Sequence, residues 1–141
     1  MRAVVSRVAW ARVMVDDAAV GELAGPGLLV LLGVHRDDGP DAPAAMARKL
    51  HELRLLRDER SCAETGAGLL VVSQFTLYGD TRKGRRPSWS AAAPPAAAHE
   101  AVDAVVAALR ARGAAVAEGE FGADMQVESA NDGPFTVLVE I

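Results

Sequence analysis

The sequence contains few of the residues that most often mark a catalytic or metal-binding site. It has one cysteine, Cys62, and only three histidines, His35, His51 and His99, in 141 residues. A single cysteine forms no internal disulfide and has no Cys-x-x-Cys partner, so the expected environment is reduced and cytoplasmic. No His, Cys, Asp and Glu residues cluster with metal-ligand spacing, and we expect neither a metal nor another cofactor.

Long hydrophobic runs are also absent. No stretch approaches the roughly 20 apolar residues that a helix needs to cross a bilayer. The apolar N-terminal segment MRAVVSRVAWAR is interrupted by arginines, which argues against a signal peptide. We therefore expect no membrane partner.

Half of the residues are hydrophobic, which is enough for a substantial core in a chain of one-domain length. The valine-rich and leucine-rich segments predict strands, and two segments with apolar residues at helical spacing predict helices. No linker divides the chain, so we predict a single mixed α/β domain over residues 1–141, with both helices covering one side of a strongly curved sheet. The predicted strands are 2–8, 12–15, 27–34, 69–77, 114–121, 124–130 and 134–140, and the predicted helices are 42–52 and 96–112.

Three further segments are interpreted as connections. Residues 53–57 either continue the first helix or form an edge strand, and periodicity does not decide between them. The polar segment 58–68 indicates a loop. NDGP, at 131–134, indicates a turn between the last two strands, and the default for Gly133–Pro134 is an ordinary trans bond.

The strand predicted at 69–77 ends in polar residues, and strand ends are where open α/β sheets bind ligands. Alternation would place Ser73 and Phe75 on one face, and Gln74 and Thr76 on the other. The competing interpretation is that Thr76 simply favours a strand and Gln74 caps a sheet edge. Neither hydroxyl has a recognisable base nearby in the sequence, so nucleophilic activation is not supported. Catalysis, if present, would depend on positioning, backbone amides and groups on the substrate.

A basic segment follows this strand, although the protein as a whole has a net charge of −4. Arg82, Lys83, Arg85 and Arg86 lie within five positions, and no acidic residue occurs between Asp80 and Glu100. Such a cluster neutralises phosphates, and Trp89 is suited to stacking on a base. The alternative is a solvated loop without a partner.

Two segments resemble the D-aminoacyl-tRNA deacylases: SQFTLYGDTRKGRRPSW at 73–89 and FGADMQVESANDGPFT at 121–136. SRV at 6–8 and GLLVLLGV at 27–34 support the resemblance, which runs nearly end to end. It implies curved sheets closing toward a barrel with two crossover helices on one side, in a homodimer with active sites near the subunit interface. The implied activity is hydrolysis of D-aminoacyl-tRNA, and of glycine mischarged on noncognate tRNA, with tRNA rather than DNA as the partner.

The resemblance also implies how selectivity arises. Gly133–Pro134 would be a Gly-cis-Pro dipeptide that reaches into the partner's pocket and excludes L-amino acids. Arg7 would hold this loop in place, and Met125 would pack beneath it. Asn131 is the first residue of the NxGPxT signature.

Catalytic roles follow from the same resemblance. Ser73 and Gln74 belong to the segment that would hold the aminoacyl ester, and the Phe75 amide would stabilise the oxyanion. Thr76 is a candidate nucleophile in the family; the alternative is that the 2′-hydroxyl of the terminal adenosine assists water. The basic segment and Trp89 would grip the tRNA acceptor end.

The chain also departs from the family pattern. Residues 58–68 are shorter than in many relatives and lack a GKMNLS-like segment, and SRV replaces the commoner QRV. Two other functions remain open on the sequence: a non-catalytic RNA-binding module using residues 82–86, and a Ser/Thr hydrolase of small esters.

Overall fold

The fold consists of one six-stranded sheet and three helices, described for all residues 1–141 by a computed structural model. Two short 3-10 turns, Arg57–Glu59 and Phe75–Tyr78, lie between the main elements. In chain order the elements are β1 (Arg2–Val15), β2 (Ala18–Leu23), β3 (Gly27–Gly33), α1 (Ala42–Glu52), α2 (Cys62–Thr65), β4 (Gly68–Ser73), α3 (Pro95–Ala111), β5 (Val116–Glu118) and β6 (Gln126–Glu140).

The strand order is β2-β1-β3-β4-β5, and β6 pairs with the other edge of β1. Strand β1 is antiparallel to β2, β3 and β6, whereas β3, β4 and β5 are parallel. Parallel neighbours need a crossover, which α1 supplies between β3 and β4, and α3 between β4 and β5.

The sheet curls until its outer strands β2 and β5 nearly meet. A Cβ at Gly21 would lie 2.0 Å from the carbonyl oxygen of Glu118, so only glycine allows this approach. The prediction of a single mixed α/β domain with a sheet closing toward a barrel is confirmed.

Two hydrophobic clusters occupy the two faces of the curled sheet. The larger one lies between the sheet and helices α1 and α3, where Leu50 and Leu109 pack with Leu32 and Val71 at no more than 2% exposure. The smaller one fills the inside of the curl with Val8, Ala11, Val13, Leu29, Leu70 and Val72. Strands β3 and β4 contribute to both, because their unbroken apolar runs are buried on both faces.

Several predicted boundaries were wrong. The strands predicted at 2–8 and 12–15 form one strand, β1, and the predicted 114–121 strand shrinks to β5. The last two predicted strands are a single strand, β6, because β1 pairs with both halves. NDGP is therefore a bulge within β6 rather than a turn between strands. The pairing register of β1 with β6 shifts at Arg7 and again at Ala9, which makes room for the extra residues.

Two elements were not predicted. Strand β2 was missed, and the loop predicted at 58–68 contains α2. Ser61 accepts a hydrogen bond from the Glu64 amide and Glu64 returns one to the Ser61 amide, which forms a capping box for α2. None of the helices combines the length and hydrophobicity that crossing a bilayer requires.

Candidate functional site

A pocket of about 800 Å³ opens where the parallel strands β3 and β4 end. This edge is where α/β sheets bind ligands, because side chains and free amides converge there. Ser73, Gln74 and Phe75 line it, together with Trp89. The pocket thus brings together three of the four residues predicted at the strand end with the aromatic residue after the basic segment.

The chain bends sharply after β4. The Gln74 amide donates to the carbonyl of Leu32 at 2.7 Å, and the backbone then enters the 3-10 turn Phe75–Tyr78. Strand alternation stops at Ser73, so the predicted division of these side chains between two faces is wrong. Phe75 points outward, 55% exposed, and Thr76 is not among the pocket-lining residues.

The bend leaves a backbone donor free at the pocket. Phe75 is the first residue of the 3-10 turn, so its N–H has no acceptor within the turn, and no other backbone or side-chain acceptor bonds it. An unpaired N–H beside a pocket is suited to an ester carbonyl or the oxyanion formed from it.

Thr76 is not placed as an activated nucleophile. The only hydrogen-bond partner of its hydroxyl is the side-chain amide of Gln74, which is not a base. His51 is buried on α1, His35 stacks edge-on against Tyr78, and His99 stacks on Phe121. None of the three histidines lines the pocket.

The sequence reasoning missed several pocket residues. Arg36 and Asp37 follow β3 and line the pocket, as does Phe121. The Arg36 guanidinium donates to the carbonyl of Ser90 at 3.2 Å. The same strand-end rule that identified residues 73–76 would have found Arg36 and Asp37, since β3 and β4 are parallel neighbours. No group of three or more His, Cys, Asp and Glu side chains is arranged to hold a metal.

The basic segment divides into paired and unpaired cations. The Arg82 guanidinium makes two hydrogen bonds to Asp80, at 2.9 Å and 2.6 Å, and this pairing holds the pKa of Asp80 well below its ordinary value. Lys83, Arg85 and Arg86 are exposed and form no ion pair. The free cationic charge is therefore three rather than four.

The bond between Gly133 and Pro134 is trans, as are all peptide bonds in the chain. The expectation of a Gly-cis-Pro dipeptide, which came from the family resemblance, is wrong. Residues 131–135 are termed here the 131–135 loop. After Asn131, which pairs with Val8, residues 132–135 leave the ladder, and pairing with β1 resumes at Thr136, opposite Ser6. Gly133 turns the chain with φ of 127°, so the bulge closes without a cis bond.

Arg7 lies directly against the 131–135 loop. Its Nε donates to the carbonyl of Asp132 at 3.0 Å, and its guanidinium lies 4.8 Å from the ring centre of Phe135. A Cβ on Gly133 would come within 2.5 Å of Arg7 Nη2. The Asn131 side chain donates to the carbonyls of Arg7 and Phe135, at 2.9 Å and 3.3 Å.

Met125 packs against the inner core cluster, close to Gly119. No residue of the 131–135 loop lines the pocket of its own chain. Met125 and the basic segment apart, the predicted site residues form two separate groups, one at the end of β4 and one where Arg7 of β1 meets the 131–135 loop.

The sequence matches a known protein family and its full-length members. Residues 4–140 match the family model described as D-Tyr-tRNA(Tyr) deacylase. A D-aminoacyl-tRNA deacylase of Beutenbergia cavernae is 61% identical, covering 99% of both chains. One from Acidothermus cellulolyticus is 62% identical over 100% of this chain and 99% of its own.

Two solved structures share the fold. A structure titled c-Myc DNA Unwinding Element Binding Protein superposes with a TM-score of 0.93 at 36% identity, covering 100% of this chain and 99% of that one. A probable eukaryotic D-amino acid tRNA deacylase superposes at 0.88 with 20% identity, covering 99% and 98%, which bears on the fold alone. With the family model and full-length relatives in agreement, the chain belongs to the D-Tyr-tRNA(Tyr) deacylase family.

Proposed function

We propose that this enzyme hydrolyses the ester bond of D-aminoacyl-tRNA, and of glycine mischarged on noncognate tRNA, releasing the free amino acid and tRNA. The observation that carries the proposal is the unpaired Phe75 amide at the edge of the pocket beyond β4. The names of the full-length relatives support the substrate class.

The chemistry needs few side chains. Water attacks the ester carbonyl carbon, and the Phe75 N–H donates a hydrogen bond to the developing oxyanion. Losing such a donor costs about 2.7–4 kcal/mol of transition-state stabilisation in a known hydrolase. The bond from the carbonyl carbon to the ribose 3′-oxygen then breaks, and that oxygen receives the proton that water gives up. The neighbouring 2′-hydroxyl of the substrate is the relay for this proton, consistent with a pocket lacking histidine.

Aromatic and cationic groups would bind the rest of the substrate. Phe75, Trp89 and Phe121 offer apolar rings to the terminal nucleoside in the pocket. The unpaired cations Lys83 and Arg85 lie in the segment between Phe75 and Trp89, and they would bind phosphates of the acceptor end.

The functional unit would be a homodimer. The 131–135 loop does not line its own chain's pocket, so a direct role in the reaction requires a second copy. Phe135 and Leu138 on β6 are large apolar side chains left 41% and 55% exposed, which a partner would cover. Selectivity would arise because the main chain of the partner's loop, in its trans form, occupies the space that an L side chain needs.

The test is a deacylation assay with D-Tyr-tRNA, L-Tyr-tRNA and glycine on a noncognate tRNA. We expect fast ester loss from the first and third substrates and near-background loss from the second. Equal rates on D- and L-Tyr-tRNA would contradict the proposed selectivity, and no hydrolysis of D-Tyr-tRNA would contradict the proposed activity.

A nucleic-acid-binding module without catalysis is the second candidate. The exposed cations at 83–86 favour it, as does the printed title of the DNA-unwinding-element-binding neighbour. Such a module would bind uncharged tRNA or DNA and leave D-aminoacyl esters intact. Binding of uncharged tRNA and duplex DNA, measured by fluorescence anisotropy, together with no loss of the ester from D-Tyr-tRNA, would favour the module over the enzyme.

A further inference from the structure

The short segment before α2 forms a tight turn, and Arg57 on it is exposed. Leu55 and Leu56 are buried at its start, and the Leu56 amide donates to the carbonyl of Arg60 at 2.9 Å. Between Leu56 and Arg60, both Asp58 and Glu59 adopt left-handed backbone conformations, with φ of 58° and 53°. Non-glycine residues rarely adopt this conformation, and two in succession need support from the surrounding structure.

Arg57 reaches from this turn to the 131–135 loop. Its Nε and Nη2 donate to the two carboxylate oxygens of Asp132, at 3.0 Å and 2.6 Å. This two-point geometry fixes orientation as well as distance, which a lysine cannot do. The pairing spans 75 residues of sequence and connects the turn before α2 to the residue directly before Gly133.

Asp132 is held from two sides. Arg7 approaches the same carboxylate at 3.3 Å and also bonds the Asp132 carbonyl. The Arg57 hydrogen bonds, and then the charges of Arg57 and Arg7, keep the pKa of Asp132 below its ordinary value. Asp132 therefore remains ionised at neutral pH, and both arginines keep a negative partner.

We propose that Arg57 is a positioning residue that fixes the 131–135 loop, through Asp132, in the conformation on which discrimination between D- and L-aminoacyl esters depends. This inference rests on the proposed function. Arg7 holds the loop through its Nε, which bonds the Asp132 carbonyl. The rest of its guanidinium lies over the Phe135 ring. Arg57 adds a second, independent anchor from a different part of the fold.

The test compares Arg57→Ala, Arg57→Lys and Asp132→Asn with the wild-type enzyme. The readout is the ratio of kcat/KM for D-Tyr-tRNA to that for L-Tyr-tRNA. Because both substrates carry the same tRNA, changes in tRNA binding cancel in this ratio. We expect Arg57→Ala and Asp132→Asn to lower the ratio roughly tenfold, mainly through faster loss of the L-ester, with Arg57→Lys intermediate.

Arg110→Ala is the matched control. Arg110 also pairs with a carboxylate, Glu118, at 2.6 Å, and is 53% exposed against 68% for Arg57. It lies at the end of α3 that is remote from the pocket. We expect it to keep the wild-type ratio.

Hydrogen exchange of backbone amides in residues 131–136 provides a readout independent of activity. We expect faster exchange there in Arg57→Ala than in wild type or Arg110→Ala. A wild-type ratio and wild-type exchange in Arg57→Ala would overturn the inference, even if its melting temperature fell. If the wild-type enzyme showed no preference for D-Tyr-tRNA, the proposed function would fail on that result, and the exchange data would still decide whether Arg57 holds the loop.

Discussion

The ring of Trp89 meets the ring of Phe75 edge-on, with centroids 5.4 Å apart and planes inclined by 70°. Gly79 makes this possible, since a Cβ there would lie 2.6 Å from the Trp89 ring. Both rings line the pocket, yet they remain 43% and 55% exposed. Two large apolar rings left open at a pocket edge are suited to stacking against a ligand.

Replacing Trp89 with alanine should therefore weaken substrate binding more than it slows the chemistry. Stacking on an aromatic residue is worth about 1–3 kcal/mol per base, so we expect KM for D-Tyr-tRNA to rise roughly tenfold or more. Trp89→Phe should keep most of the affinity because it keeps an aromatic face. Steady-state kinetics of the three proteins measures the effect.

Gly79→Ala tests the same pair of aromatic rings without removing either of them. The added methyl group should displace Trp89 and raise KM in the same direction, by a smaller factor. An unchanged KM in both Trp89→Ala and Gly79→Ala would remove this aromatic pair from the substrate site.

The basic segment gives a prediction about salt. Arg85 and Arg86 are unpaired, so replacing both with alanine should flatten the plot of log affinity for tRNA against log salt concentration. For two phosphate contacts the slope should change by about 1.4–1.8, at roughly 0.7–0.9 per contact. Filter binding or fluorescence anisotropy over a range of salt concentrations measures the slope.

Arg82 and Arg48 serve as internal comparisons for that experiment. Arg82→Ala should change the slope less, because Asp80 already neutralises this guanidinium. Arg48→Ala, on the exposed face of α1, should leave it unchanged. If Arg85→Ala with Arg86→Ala behaved like Arg48→Ala, the segment would not contact phosphate.

Local sequence patterns predicted the parts of the fold that local forces determine. Apolar runs identified β3 and β4, and helical spacing identified α1 and α3 to within a residue or two. The strand-end rule pointed to Ser73, Gln74 and Phe75, and these three residues line a pocket in the structure.

The features that the sequence did not reveal depend on distant partners. Strand β2 has few strong strand formers, and Gly21 in it is required by the carbonyl of Glu118, far along the chain. Strand β6 is continuous only because β1 supports both of its halves. The contact between Arg57 and Asp132 has no local signal at all, and the mistaken cis bond was implied by resemblance rather than by the residues themselves.

Acid should destabilise the protein through His51. This side chain is buried with an unpartnered Nδ1, and burial, assisted by the charge of Arg112, lowers its pKa below the ordinary value despite the opposing charge of Glu52. The unfolded chain therefore binds a proton more readily than the folded protein. The contribution of His51 to stability should be constant well above pH 6.5 and fall as the pH drops below it, by at most about 1.4 kcal/mol per pH unit for one proton.

Melting temperatures between pH 8 and pH 5 test the role of His51. His51→Leu should lose much of the decline below pH 6.5, because it keeps an apolar side chain and removes the proton site. His99→Gln, which alters a more exposed histidine on α3, should retain the wild-type decline. Matching pH curves for wild type and His51→Leu would assign the acid sensitivity to other groups.

The hydroxyl of Thr76 gives the sharpest test of mechanism. Its partner is the Gln74 amide, and no histidine lines the pocket, so we expect it to orient the turn rather than attack the ester. Thr76→Ala should then keep kcat for D-Tyr-tRNA within about tenfold of wild type, whereas losing a true nucleophile would cost about 10⁴-fold or more. A tRNA ending in 2′-deoxyadenosine should instead be a poor substrate for both proteins, because the proposed proton relay is missing. Near-complete loss of turnover in Thr76→Ala, with a covalent aminoacyl-enzyme detected by mass spectrometry in the wild type, would replace substrate assistance with a threonine nucleophile.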